Sequence, residues 1–105
     1  MSTLSTHVLD TATGTPAAGM TVTLRDDAGS VVADAVTDDD GRARFDGDHT
    51  GTVVLRFATG AWSASREAST FYPYVDVAVA LAADRPHHHV PLLLSPFGYS
   101  TYRGS

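Results

Sequence analysis

Period-two alternation, broken again and again by turn residues, is the feature that most limits what this chain can fold into. Met20, Val22 and Leu24 alternate with Thr21, Thr23 and Arg25. Val53, Leu55 and Phe57 share one face of a second stretch, and Val75, Val77, Val79 and Leu81 share one face of a third. Successive side chains of a strand point to opposite faces, so each stretch reads as a strand with one face buried and one wet. Between them lie Asp27-Ala28-Gly29-Ser30 and Asp38-Asp39-Asp40-Gly41, both turn sequences, with glycine free to take positive φ.

The remaining segments fit the same pattern. Leu4 to Leu9, Val31 to Thr37, Arg42 to Phe45 and Thr52 to Ala58 read as strands. Asp10 to Gly19, Asp46 to Gly51 and Ala82 to Pro86 read as loops. Only Thr59 to Ala68 loses the alternation, and it is expected to be the one short helix. The C-terminal stretch His87 to Ser105 reads as a hairpin around Ser95-Pro96-Phe97-Gly98, docked rather than dangling because it keeps aromatic, basic and hydroxyl side chains to its end. Seven or eight strands and one helix predict an all-β, two-sheet sandwich. At 105 residues the expectation is one domain spanning 1–105.

Composition narrows the chemistry. There is no Cys, Lys, Asn, Gln or Ile. That removes thiolate zinc sites, cysteine nucleophiles, Schiff-base lysine and side-chain-amide oxyanion holes. The net charge of -5, with seven scattered arginines as the only basic residues besides histidine, argues against nucleic acid and anionic membranes. No apolar run approaches a membrane span. No basic region with an apolar run follows Met1, so the expected compartment is the cytoplasm.

Five histidines remain as the outstanding count. His87 and His89 share one face of a strand and His88 takes the other. Two imidazoles on one face could begin a metal site, with His7 or His49 as the third ligand; they could be an exposed strand start; or one of them could do acid–base work, since histidine titrates near roughly 6.5. His7 lies on the face of Ser5 and Leu9, where a structural histidine is the ordinary reading. Arg42 follows the Asp-Gly turn and on local grounds is a solvated strand start. The Asp38–Asp40 run lacks the acidic positions of a calcium loop, having Val36 and Gly47 where those would fall. Gly98-Tyr99-Ser100-Thr101-Tyr102 lacks the closing glycine of a nucleophile elbow.

Several segments taken together resemble the 5-hydroxyisourate hydrolases of the transthyretin family. They are Leu4-Ser5-Thr6-His7-Val8-Leu9-Asp10, Gly14 to Gly19 with Pro16-Ala17-Ala18, the Asp40-Gly41-Arg42 turn, and the tail ending Tyr102-Arg103-Gly104-Ser105. That last tetrapeptide separates the hydrolases from the hormone-carrying transthyretins. The resemblance departs at His88, which stands where the family usually has Tyr, and at Gly60-Ala61-Trp62-Ser63. It implies a prealbumin-like sandwich, a homotetramer built as a dimer of dimers with sites in the channel between dimers, and no metal or organic cofactor. The implied reaction adds water to 5-hydroxyisourate, the unstable product of urate oxidation, and opens its six-membered ring to 2-oxo-4-hydroxy-4-carboxy-5-ureidoimidazoline. It places His7, Arg42, His89 and Ser105 in catalysis, with His7, Arg42 and Tyr102 on the substrate. His7 and His89 are expected to hold and deprotonate the water, Arg42 to bind substrate, and the Ser105 hydroxyl or terminal carboxylate to orient a histidine. The rival readings are a transthyretin-like carrier of small aromatic ligands without turnover, and a structural sandwich domain.

Overall fold

A computed structural model describes residues 2–105. The strands are β1 (Thr3–Asp10), β2 (Thr15–Pro16), β3 (Thr21–Asp26), β4 (Val31–Val36), β5 (Arg42–Phe45), β6 (Gly51–Phe57), β7 (Val75–Leu81), β8 (His87–Ser95) and β9 (Gly98–Thr101), with one helix, α1 (Thr59–Ser65), between β6 and β7. Among the described residues these make two sheets. One runs β2-β1-β8-β9 with β5 also paired to β1, and the other runs β4-β3-β6-β7. The two-residue β2, inside a segment expected to be loop, takes the count past eight. The helix ends at Ser65, three residues short of the expected Ala68.

The alternation does the packing. Leu4, Thr6 and Val8 of β1 point inward, as do Val22 and Leu24 of β3, Val53, Leu55 and Phe57 of β6, and Val90, Leu92 and Leu94 of β8; all are buried. They meet in one apolar cluster that Trp62 of α1 also joins. Burial of such side chains, each worth about 1.5–3 kcal/mol, is the main force holding the sheets face to face. The buried hydroxyl of Thr6 is satisfied by the Val90 carbonyl at 2.6 Å.

Two features of the first sheet matter for the site. β1 pairs with β8 in parallel, Thr3 opposite His87 and Ser5 opposite His89, so the two ends of the chain lie side by side. On its other edge β1 pairs antiparallel with β5, placing His7 opposite Arg42 and Ser5 opposite Arg44. The inward residues of these strands belong to the core. Their polar alternates therefore line the outer face of the sandwich.

Candidate active site

The turn before β5 sets Arg42. Asp38 Oδ1 accepts the backbone N–H of Asp40 at 2.9 Å and of Arg42 at 3.0 Å, and the Gly41 N–H donates to the Asp38 carbonyl at 2.9 Å. Gly41 sits at φ 77°, and a Cβ there would come within 2.5 Å of the Val8 carbonyl oxygen. Only glycine meets both demands. Its own carbonyl accepts the Val8 N–H at 2.8 Å, which ties the turn to β1. The Asp-Gly-Arg sequence is thus a device for launching β5 beside β1 with Arg42 outward, level with His7.

The tail sets His89 from the other side. After β9 the chain returns to β8, where Gly104 and His89 form an isolated bridge and the Gly104 N–H donates to the His89 carbonyl at 2.8 Å. A Cβ on Gly104 would lie 2.6 Å from Cδ2 of the His89 ring. The glycine is there because the imidazole lies flush against its backbone. Ser105 is carried past it onto the same face.

Together these residues line an open depression of about 450 Å³ that includes Ser5, Arg42, Arg44, His87, His89 and Ser105. His7, half-buried, adjoins it as the register partner of Arg42 and two residues along β1 from Ser5 on the same face. Its closeness is felt electrostatically at His89. Burial holds the His89 imidazole below its usual range, and the positive Arg42, then His7 and His87, push in the same direction. His89 is therefore neutral near pH 7, which suits a proton acceptor. Its Nδ1 is engaged by the Ser5 hydroxyl at 2.7 Å, and among the described residues no hydrogen bond occupies Nε2.

Not every expected residue meets there. Tyr102 lines a different cleft of about 300 Å³, among Val77, Val79, His88, Val90 and Arg103, on the far side of β8. His49 lies on the loop before β6, its Nε2 against the Asp46 carbonyl at 3.1 Å. His87 is held by hydroxyls of β1: its Nδ1 meets Thr3 Oγ1 at 2.5 Å and its Nε2 meets Ser5 Oγ at 2.8 Å. The roles of Ser5 and Thr3 were not visible in the sequence, because nothing local pairs residues 3–5 with 87–89. Among the described residues no three His, Asp or Glu side chains converge as metal ligands would.

The outer face of this two-sheet sandwich thus carries a cluster of imidazole, guanidinium and hydroxyl groups. The HIUase/Transthyretin family model matches residues 4–104. This chain belongs to that family. It is 44% identical to the 5-hydroxyisourate hydrolase of Caulobacter vibrioides, with all of both chains covered. The solved structure of Klebsiella pneumoniae 5-hydroxyisourate hydrolase superposes with a TM-score of 0.90 at 42% identity, covering 100% of this chain and 94% of that one. Sea bream transthyretin, solved in complex with thyroxine, has the same fold at a TM-score of 0.87 but only 25% identity, with 96% and 93% covered. The family's name covers both hydrolases and transthyretins, and this chain is more similar in sequence to these two hydrolases than to that transthyretin. Among the described residues no helix is long and apolar enough to cross a membrane.

Proposed function

We propose that residues 1–105 act as one 5-hydroxyisourate hydrolase domain, with His7, Arg42, His89 and Ser105 as its reacting and binding groups. The observation that carries this reading is the convergence of Arg42, His89 and Ser105 on one depression, beside His7, from three segments far apart in sequence. A carrier of apolar ligands has little use for such a set, since binding sites of that kind are mostly apolar.

The chemistry follows from the groups. Water held between His7 and His89 loses a proton to an imidazole as it attacks the ring carbonyl. His89 Nε2, neutral and without a protein partner, is the fitting acceptor; general-base help of this kind is worth about 10²–10⁴-fold. The Arg42 guanidinium offers paired N–H donors to a planar, carbonyl-rich substrate and stabilises negative charge as it develops on the attacked oxygen. The proton then passes to the departing ring nitrogen and the six-membered ring opens to 2-oxo-4-hydroxy-4-carboxy-5-ureidoimidazoline. Ser105, carried by the Gly104 bridge, supplies a hydroxyl at the rim. No step calls for a metal or an organic cofactor.

The site lies on an outer face and is open. A homotetramer, as a dimer of dimers that buries this face against another copy, would close it. Two supports for assembly come from the edges of the sheets. β7 and β9 each pair on one side only. Exposed Phe71, Phe97, Tyr99 and Tyr102 also belong to the β9 tail or to the segment before β7.

The test is the ultraviolet decay of freshly generated 5-hydroxyisourate with and without the protein. Acceleration well beyond spontaneous decay, lost in His7→Ala, Arg42→Ala and His89→Ala, is the expected result. No acceleration from a correctly assembled oligomer would move the assignment to a ligand carrier.

A further inference from the structure

A single hydroxyl joins two imidazoles. Ser5 Oγ lies 2.7 Å from His89 Nδ1 and 2.8 Å from His87 Nε2, and His87 Nδ1 lies 2.5 Å from Thr3 Oγ1. The row Thr3–His87–Ser5–His89 is continuous, and His89 at its inner end lines the depression. A hydroxyl has one proton to give. Ser5 can therefore donate to one ring and must accept from the other. While both rings are neutral, one of His89 Nδ1 and His87 Nε2 carries a proton and the other is bare.

Two arrangements satisfy this. In the first, His89 Nδ1–H donates to Ser5, Ser5 donates to His87 Nε2, and His87 Nδ1–H donates to Thr3; His89 Nε2 is then bare and faces the depression as a base. In the second, every donation is reversed, and His89 presents Nε2–H as an acid. The tautomer of the inner histidine is thus locked to that of the outer one.

We propose that Ser5 and His87 are positioning residues for the hydrolytic proton transfer, working as a relay that fixes the tautomer of His89 and takes up the positive charge when His89 accepts a proton. This rests on the reading of His89 as the group that handles the proton of water. The balance is simple. A proton leaves water and bonds to His89 Nε2. The Nδ1 proton of His89 passes to Ser5 Oγ while the Ser5 proton passes to His87 Nε2. His89 is neutral again with Nε2–H, and His87 carries the charge as imidazolium. Return of the proton from His89 Nε2 to the departing ring nitrogen runs the row backwards.

The surroundings give a reason for moving the charge outward. His89 faces Arg42 and Arg44 of β5, His7 of β1 and Asp38 of the turn, and of these Arg42 and His7 oppose an imidazolium at His89. His87 stands two residues nearer the start of β8, where it also lines a second, neighbouring depression with Asp84, Arg85 and Arg103. A charge on His87 is further along the strand from Arg42, and its surroundings hold one carboxylate, Asp84, beside the guanidinium groups of Arg85 and Arg103.

The test uses the full chain labelled with nitrogen-15 histidine, in which ring-nitrogen shifts report the tautomer directly, alongside the pH profile of turnover. Ser5→Ala should change the ring-nitrogen spectrum of both His87 and His89. It should also lower kcat about tenfold or more with little change in KM, because a misoriented imidazole fails in the chemical step. Ser5→Thr keeps the hydroxyl and should restore most of the rate. His87→Gln can still hydrogen-bond Ser5 but cannot hold a charge, so kcat should fall and the acid limb of its pH profile should move. A Ser5→Ala spectrum of His89 identical to the wild type, or wild-type kcat and pH profile in both Ser5→Ala and His87→Gln beside an inactive His89→Gln, would overturn the relay while leaving His89 in its role. Full turnover in His89→Gln would instead overturn the site reading beneath it.

Discussion

Gly104 does at residue scale what a longer side chain could not. It lets the returning tail lie against the His89 ring while its N–H holds the β8 backbone. A methyl group there has to displace the imidazole, since a 2.6 Å carbon–carbon approach is not tolerated. Gly104→Ala should therefore lower kcat/KM by about tenfold or more, because small misplacements of reacting groups cost this much. It should leave the melting temperature nearly unchanged, as Gly104 is no part of the core cluster. Parallel kinetics and thermal melts check this. Charge acts at the same scale. His89 is held below its usual value of 6.5 by burial and by Arg42. The acid limb of kcat/KM should accordingly fall below pH 6.5, where His89 takes up a proton and stops accepting one. In Arg42→Gln, with one of the depressing charges gone, that limb should move to higher pH, on top of a drop in rate of about 10² or more from lost oxyanion stabilisation.

Elements turn these residues into a site, and they show what the sequence could and could not reveal. Strand β8 carries three consecutive histidines, and the parity of a strand alone says that His87 and His89 share a face and His88 does not. The bounds of β5 and the turn of the C-terminal hairpin follow equally well from local signals, because a glycine turn stands beside each, and β7 follows from its own unbroken alternation. Pairing is another matter. That β8 lies parallel to β1, with Ser5 level with His89, depends on contacts between residues 84 apart in the chain, so the Ser5 and His87 link had no local sign. The tail shows the same limit. Its specific ending marks it as functional, yet on which side of β8 Tyr102 falls is decided by how the chain turns after Thr101. The turn before β5 gives the test at this scale. Gly41→Ala imposes positive φ on a side chain and drives a Cβ into the Val8 carbonyl. It should destabilise the fold by about 1–3 kcal/mol, read by chemical denaturation, and misplace Arg42 as well.

At the scale of the whole molecule, one titratable side chain is buried among the described residues. His88 is 5% exposed and faces inward, level with Leu4 across the parallel pair. Its Nε2 accepts the Ala82 N–H at 3.1 Å, so the ring proton sits on Nδ1, which is buried without a partner among the described residues. Burial first, then Arg85, Arg103 and His87, lowers its pKa, with Asp84 opposing. A depressed folded-state value means that the unfolded chain binds the proton more readily. The stability due to neutral His88 is thus complete above the unfolded value of 6.5 and drains away as pH falls through the lower folded value. Melting temperature should drop between pH 7 and pH 5, and His88→Phe should make that drop shallower. Assembly belongs to this scale too: sedimentation should find a tetramer, and a monomer would leave the outer face without its cover.

The parallel partnership of β1 and β8 has a consequence in time as well as in space. Thr3 to Asp10 are made well before the strand they pair with, His87 to Leu94. At about 5–20 residues per second, the opening strand waits several seconds before its neighbour exists. The proton-handling groups cannot meet until His89 has been made, 84 residues after Ser5, so the row of hydroxyls and imidazoles stays unassembled through that whole interval of synthesis.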